Sequence, residues 1–143
     1  MSARLGQAIR VSLTQSQAEP YHAPALEWGR DKERHMQRIK GYHAHIYFDA
    51  STLEQARALC EEAAQLFGVT QGRVHQRPVG PHPDWSCQLA FGPELIGVVL
   101  PWLALNRHGL VVFLHPDTGH DLLDHTDHAI WMGAIRPLNL SVF

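Results

Sequence analysis

Two histidines separated by one alanine, in the alternating run from Gly41 to Asp49, are the residues of this chain best suited to chemistry. Neighbouring side chains of an extended strand point to opposite faces, so His43, His45 and Tyr47 share one face. Two imidazoles on one face form a chelating edge for zinc, copper, iron or nickel. The alternative interpretation is a polar strand face that carries two histidines by chance.

The histidine content favours the metal interpretation. The chain contains 11 histidines among 143 residues. They are interleaved with other residue types and do not run together as in a purification tag. We interpret His22, His35, His75 and His108 as surface or structural residues. Five histidines lie in one C-terminal stretch rich in aspartate: His108, His115, His120, His125 and His128.

Size and composition limit the classes of protein to consider. A chain of 143 residues corresponds to one domain, and its formal charge of −2 offers no basic surface for nucleic acid. Cys60 and Cys87 do not form a disulfide framework or a Cys-x-x-Cys motif, and both are interpreted as buried small hydrophobic residues. No apolar run suggests a membrane span or a signal peptide. We expect a cytoplasmic protein.

The chain divides into an N-terminal extension, residues 1–40, and a folded domain, residues 41–143. The extension lacks sustained apolar periodicity and ends in a charged run, so we expect it to be flexible or loosely docked. After the first strand, Ser51 to Glu54 has the pattern of a capping box, and apolar residues recur at helical spacing. Gly68 is expected to end this helix.

Three strands and a second helix complete the predicted domain. The segments 69–79 and 85–91 are expected to pair as a hairpin around the turn at 80–83. A helix that contains Pro101 follows and ends at Gly109, and residues 110–115 form a buried strand. The order βαββαβ indicates an α+β, ferredoxin-like fold with a helical or extended C-terminal tail. Its open sheet face suggests a homodimer.

This topology brings three histidines together. In a ferredoxin-like sheet the first strand lies between the third and fourth, so the start of the first strand is beside the end of the fourth. His115 ends the fourth strand and is therefore expected to converge with His43 and His45. Tyr47 and Gln88 face the same side by alternation and are expected to orient a substrate.

Two further histidines are candidate site residues, but the sequence does not establish where they lie relative to the sheet face. His125 follows Asp121 by four residues, so a helix here would place both on one face with His128. His82 lies between two prolines, at the hairpin end of the sheet. Either the hairpin folds over the open face, or His82 acts across a dimer interface, or it is a simple turn residue.

Several spaced motifs resemble the DOPA 4,5-dioxygenase family of fungi and bacteria, over residues 41 to about 133. The resemblance implies cleavage of a catechol ring by O₂ at a non-haem iron(II) site. The residues that carry it are 42–48 (YHAHIYF), 80–83 (GPHP), 106–107 (NR), 109–110 (GL), 115–119 (HPDTG), Asp121, 124–126 (DHT), Ala129 and Trp131.

The resemblance also suggests roles for the candidate residues. His43, His45 and His115 would hold the metal, with His125 as a further ligand or acid/base group. His82 would be a second acid/base or substrate-positioning residue. Asp121 or Asp124 would accept the other N–H of a ligating histidine, or would replace one histidine in a two-histidine, one-carboxylate site.

Two other classes of function are compatible with the same residues. One is a non-enzymatic, ferredoxin-like dimer that binds a metal or small ligand on its open sheet face. The other is a zinc-dependent hydrolase that activates a water molecule. The sequence does not identify the catechol, the bond cleaved or the metal used in the cell.

Overall fold

The computed structural model describes residues 38–143, which form an α+β unit with one antiparallel sheet. The sheet order is β2-β3-β1-β4-β5. Its strands are β1 Gly41–Phe48, β2 Thr70–His75, β3 Trp85–Phe91, β4 Val111–Asp117 and β5 Ile130–Met132. The expected flexible extension lies almost wholly outside the described residues. Near its end, the Lys40 N–H donates to the Asp117 carbonyl at 2.8 Å.

The first strand lies between β3 and β4 and is antiparallel to both, as the sequence predicted. In this register His43 is directly opposite His115 of β4, and His45 is opposite Gln88 of β3 and Phe113 of β4. Residues directly opposite each other in a sheet project to the same face. The register therefore gathers these five side chains on one side of the sheet.

The other face of the sheet supports the core. Ala44, Ile46 and Val112 have no exposed surface and pack with residues of the two long helices. Burying a side chain such as Ile46 stabilises the folded state by about 1.5–3 kcal/mol relative to leaving it exposed to water. The alternation in β1 thus separates an apolar core face from a histidine face, as expected. No helix within residues 38–143 is long and apolar enough to cross a membrane.

Helix α1, Leu53–Phe67, begins differently from the prediction. Thr52 precedes the helix, and neither Ser51 nor Thr52 forms the expected side-chain cap. Instead, Asp49 Oδ1 accepts hydrogen bonds from the N–H groups of both residues. The carboxylate at the end of β1 competes successfully for these donors, so the capping-box prediction was wrong. Gly68 ends the helix in the left-handed conformation, as predicted.

Helix α2, Ile96–Asn106, follows a 3₁₀ turn at Pro93–Leu95 and contains Pro101. It ends three residues before Gly109, because His108 and Gly109 both adopt positive φ angles. β2 is shorter than predicted, with a register irregularity between Gln71 and Val74, and leaves a long loop at residues 76–84. The tail contains the one-turn helix α3, Asp121–Asp124, then β5 and a 3₁₀ turn at Leu140–Val142.

Candidate metal centre

Three histidines converge on the sheet face opposite the core. One ring nitrogen from each of His43, His45 and His115 lies within 4.8 Å of the other two. The Nε2 atoms of His45 and His115 are 3.2 Å apart. Within residues 38–143 this ligand set consists of three imidazoles and contains no carboxylate.

The donor set suits a first-row transition metal. His115 Nδ1 lies 2.8 Å from the Pro116 carbonyl oxygen, which can only accept, so Nδ1 carries the hydrogen. The lone pair of His115 is therefore on Nε2, facing His45 Nε2 in a buried position. Imidazole nitrogens arranged in this way suit zinc, copper, iron or nickel, and a carbonyl that fixes the tautomer is a common outer partner.

Burial keeps these imidazoles neutral. Desolvation lowers the pKa of His115 to about 4, despite the hydrogen bond to Pro116. Desolvation, followed by the neighbouring charges of His82 and His115, lowers the pKa of His45 well below its usual value. Desolvation also lowers the pKa of His43, against the raising effect of Asp117. Neutral imidazole is the form that ligates a metal, so no proton has to be displaced at pH 7.

His82 lies over the histidine face in the same chain. Its ring centroid is 4.0 Å from that of His45, and its Nδ1 is 2.7 Å from the Tyr47 hydroxyl. The loop at residues 76–84 thus folds over the sheet, which was one of the three possibilities left open by the sequence. Desolvation, followed by the charges of His125 and His115, lowers the pKa of His82 to about 4.

Tyr47 is a hydrogen-bond partner that favours one tautomer of His82. Desolvation, followed by the charge of Asp84, raises the pKa of Tyr47, while Arg136 lowers it. The phenol therefore stays protonated and is able to donate its hydrogen to His82 Nδ1. In a neutral imidazole the remaining hydrogen is then on Nε2. His82 consequently has an N–H donor on the edge of its ring that Tyr47 does not occupy.

His125 approaches the site from the tail. Its ring centroid is 4.1 Å from that of His115 and 6.5 Å from that of His82. His125 Nδ1 lies 2.7 Å from the main-chain carbonyl oxygen of Asp121 and donates to it. The backbone of Asp121, and not its carboxylate, thus makes this contact. The lone pair of a neutral His125 is on Nε2, the opposite arrangement to His82.

The expected stripe of Asp121, His125 and His128 on one helix does not form. The helix ends at Asp124, and His128 lies beyond it. The buried carboxylate of Asp124 holds this segment together by accepting from Thr118 N at 2.7 Å, Thr118 Oγ1 at 2.6 Å and His128 Nδ1 at 2.8 Å. Burial alone would raise the pKa of Asp124, but these hydrogen bonds lower it.

Aromatic rings border the site. The ring of Phe113 stacks on Trp131 at a centroid distance of 4.5 Å and lies 5.7 Å from His45. The ring of Phe143 is 4.6 Å from that of His125. The sequence did not assign Phe113 to the site, although its position two residues before His115 places it on the same face.

Three comparisons with known proteins bear on this site. A sequence model of the Dopa 4,5-dioxygenase family matches residues 42–142. The chain is 32% identical over 112 residues to DOPA 4,5-dioxygenase of Amanita muscaria, covering 72% of this chain and 49% of that protein. It is 38% identical over 117 residues to an uncharacterized 21.2 kDa protein of Botryotinia fuckeliana, covering 73% of this chain and 64% of that protein.

A solved structure shares the fold. The crystal structure of a protein from Nostoc punctiforme, described as "a putative dioxygenase", superposes with a TM-score of 0.71 and 42% sequence identity. The match covers 73% of this chain and 90% of that one. By contrast, the chain spans only about half to two thirds of the length of the two curated relatives.

Proposed function

This chain belongs to the Dopa 4,5-dioxygenase family, as its motifs predicted, and we propose that it is an iron(II)-dependent extradiol dioxygenase that cleaves the ring of a catechol with O₂. The observation that carries the proposal is the pairing of His45 Nε2 and His115 Nε2 at 3.2 Å. A buried, neutral nitrogen pair of this kind, with His43 beside it, suits a metal ion.

The three histidines would hold iron(II) through their ring nitrogens. Bound there, the ion would supply open positions for the two catechol oxygens and for O₂. It would also mediate electron transfer from the catechol to O₂. The chain itself would supply the ligand geometry, a partly dry environment and proton transfer. Phe113 and Trp131 support the partly dry environment, because their stacked rings exclude water from one side of the site.

Proton transfer and substrate hydrogen bonding are assigned to the two histidines outside the metal-binding set, His125 and His82. His125 has its lone pair on Nε2, so it is the base that takes a proton from a catechol hydroxyl. His82 is neutral near pH 7, so its Nε2–H is proposed to donate a hydrogen bond to a substrate oxygen, while His125, protonated by the catechol, returns that proton. The opposite tautomers of these two rings support the division of roles.

Tyr47 and Gln88 are proposed to position the substrate. Tyr47 is buried and fixes His82, whereas Gln88 is half-buried and shares the sheet face of His45 as its cross-strand partner. Asp124 is proposed to act indirectly, by fixing the segment that carries His125. For Asp121, the contact with His125 supports a role for its backbone carbonyl.

We also propose that the domain is ferredoxin-like and that it forms a homodimer. The strand order β2-β3-β1-β4 supports the ferredoxin-like fold, since it places the first strand between the third and fourth. Apolar side chains exposed on the tail support the homodimer. They include Leu122, Leu123, Ile130, Leu140, Val142 and Phe143, each at least 40% exposed.

Three neutral imidazoles also suit catalytic zinc, which takes three protein ligands and a water molecule, so a zinc hydrolase is the second candidate. Reconstitution under nitrogen with iron(II) or zinc(II), followed by addition of catechols and O₂, tests both. The proposal expects O₂ consumption and a yellow ring-opened product with iron only. No O₂ consumption with any catechol would overturn it.

A further inference from the structure

The loop that carries His82 lies over the histidine face without being packed into the core. No residue of this loop, 76–84, is buried, although the ring centroid of His82 is only 4.0 Å from that of His45. A segment with little buried apolar surface opens at low cost in free energy. The position of His82 therefore depends on the polar contacts that hold the loop.

The tail after β5 supplies two of these contacts, one on each side of His82. Arg136 Nε donates to Asp84 Oδ2 at 2.6 Å, and Arg136 Nη2 donates to Asp84 Oδ1 at 2.9 Å. The Asn139 N–H donates to the Pro81 carbonyl at 2.8 Å. A bidentate pair of arginine and carboxylate fixes orientation as well as distance. The loop is thus fastened to the tail at two points, with His82 between them.

The same tail continues to His125. The Asn139 side chain accepts from Ser141 N at 3.2 Å and from Ser141 Oγ at 2.6 Å, and so caps the 3₁₀ turn Leu140–Val142. Phe143 follows this turn, and its ring centroid is 4.6 Å from that of His125. The tail therefore contacts both of the histidines that are proposed to act on the substrate, one through its loop and the other directly.

We propose that residues 136–143, the tail strap, are a positioning element that holds His82 and His125 over the proposed metal ligands, with their ring centroids 6.5 Å apart. The strap is anchored at its start by β5, which pairs with β4. Arg136 acts through His82 and Phe143 acts through His125, so both are positioning residues. The inference rests on the proposed function for the roles of the two histidines, whereas the restraint of the loop does not depend on it.

Hydrogen–deuterium exchange of the whole chain, followed by mass spectrometry, tests this restraint without an assay of activity. We expect Arg136→Met to increase the exchange rate of residues 76–84 by about 2- to 5-fold, on the scale of one partly exposed ion pair. Exchange in β1 should not change, and Arg136→Lys should restore part of the protection. Arg73→Met, which replaces an exposed arginine on β2, is the control. Unchanged exchange of the loop in Arg136→Met would overturn the proposal.

Double-mutant cycles show whether the strap acts through the two histidines. We expect Arg136→Met and Phe143→Ala each to lower kcat by about 2- to 10-fold, the scale of one such contact, with iron content unchanged. Arg136→Met should have no further effect on kcat in the His82→Ala background, and Phe143→Ala should have none in the His125→Ala background. Effects that multiply in both backgrounds would overturn the positioning roles and indicate general stabilisation.

Ile135→Ala is the matched control for Phe143→Ala, because Ile135 is an apolar residue of the same tail and is 78% exposed. It should leave both the exchange rates and kcat unchanged. An equal loss of kcat in Ile135→Ala and Phe143→Ala would overturn the role of Phe143. If no catechol consumes O₂ with the unmodified protein, the proposed function fails, and the exchange experiment still decides whether the strap restrains the loop.

Discussion

His45 and His115 are 70 residues apart in the chain, yet their Nε2 atoms lie 3.2 Å apart across neighbouring strands. Both residues are at most 5% exposed, so two nitrogen atoms with low proton affinity face each other out of contact with bulk water. Such a pair is satisfied either by a hydrogen on His45 Nε2 or by a cation bound between the two nitrogens. This requirement makes the pair the centre of the proposed metal site.

Replacing His45 or His115 with alanine should remove most of the bound iron. The loss of affinity should exceed the 10- to 100-fold that is typical when only an outer partner of a ligand is lost. Metal analysis after anaerobic reconstitution measures it, with circular dichroism to verify folding. His75→Ala is the control, since His75 lies on β2, which β3 separates from the strands that carry the three ligands. Full iron content in both site variants would refute the ligand assignment.

Replacing His125 should separate metal binding from turnover. We expect His125→Ala to retain its iron and to lose about 10²- to 10⁴-fold in kcat, the usual range for an acid/base residue. His82→Ala should behave in the same way. If His125→Ala loses iron as completely as His45→Ala does, His125 is a ligand and the base must be His82.

Removing the Tyr47 hydroxyl tests its control over the tautomer of His82. Tyr47→Phe removes the 2.7 Å hydrogen bond and frees His82 to carry its hydrogen on Nδ1. We expect kcat to fall by about 3- to 10-fold, on the scale of one hydrogen bond, with iron content unchanged. The pH profile of kcat should shift on its acidic limb. An unchanged profile would show that Tyr47 does not act through His82.

The metal-free protein should be destabilised by mild acid. His115 has a pKa of about 4 in the fold and 6.5 as its usual value. Below pH 6.5 the unfolded chain therefore binds more protons, so stability falls as the pH decreases from about 6.5 to about 4 and is constant above this window. Complete passage through the window should cost on the order of 3 kcal/mol for this residue.

Thermal unfolding in the presence of a chelator, at several pH values between 7.5 and 4.5, measures this dependence. His115→Gln should make the profile less steep, because glutamine does not titrate, while His45 and His82 still contribute to the dependence. The His75→Ala variant should keep the steep profile of the unmodified protein. A profile that is equally steep with and without His115 would contradict the assignment.

Asp124 should contribute to stability more than to chemistry. Its side chain is 2% exposed and accepts three hydrogen bonds. Asp124→Ala would leave the Thr118 donors unpaired, and we expect a loss of about 2–4 kcal/mol in the free energy of unfolding. Denaturant titration measures the change. Asp127→Ala, which replaces an exposed aspartate, is the control. If Asp124→Ala lowers the free energy of unfolding by less than this control does, the hydrogen-bond network is dispensable.

The sequence by itself determined the face on which His43, His45 and Tyr47 project, because strand alternation is a local property of the backbone. It also determined the order of the strands and long helices, and hence that β1 lies beside the end of β4. These features are sufficient to predict the three-histidine cluster. Boundaries were less accurate, as at Thr52 and Asn106, because local side-chain competition decides where a helix begins and ends.

Tertiary structure alone decided the positions of His82 and Arg136. The loop that carries His82 is held by contacts with distant residues, including the Tyr47 hydroxyl and the hydrogen bond from Asn139 N to the Pro81 carbonyl. Arg136 meets Asp84 across 52 residues of chain. The path of a loop depends on such non-local partners and has no periodicity in sequence, whereas the direction of a strand side chain does.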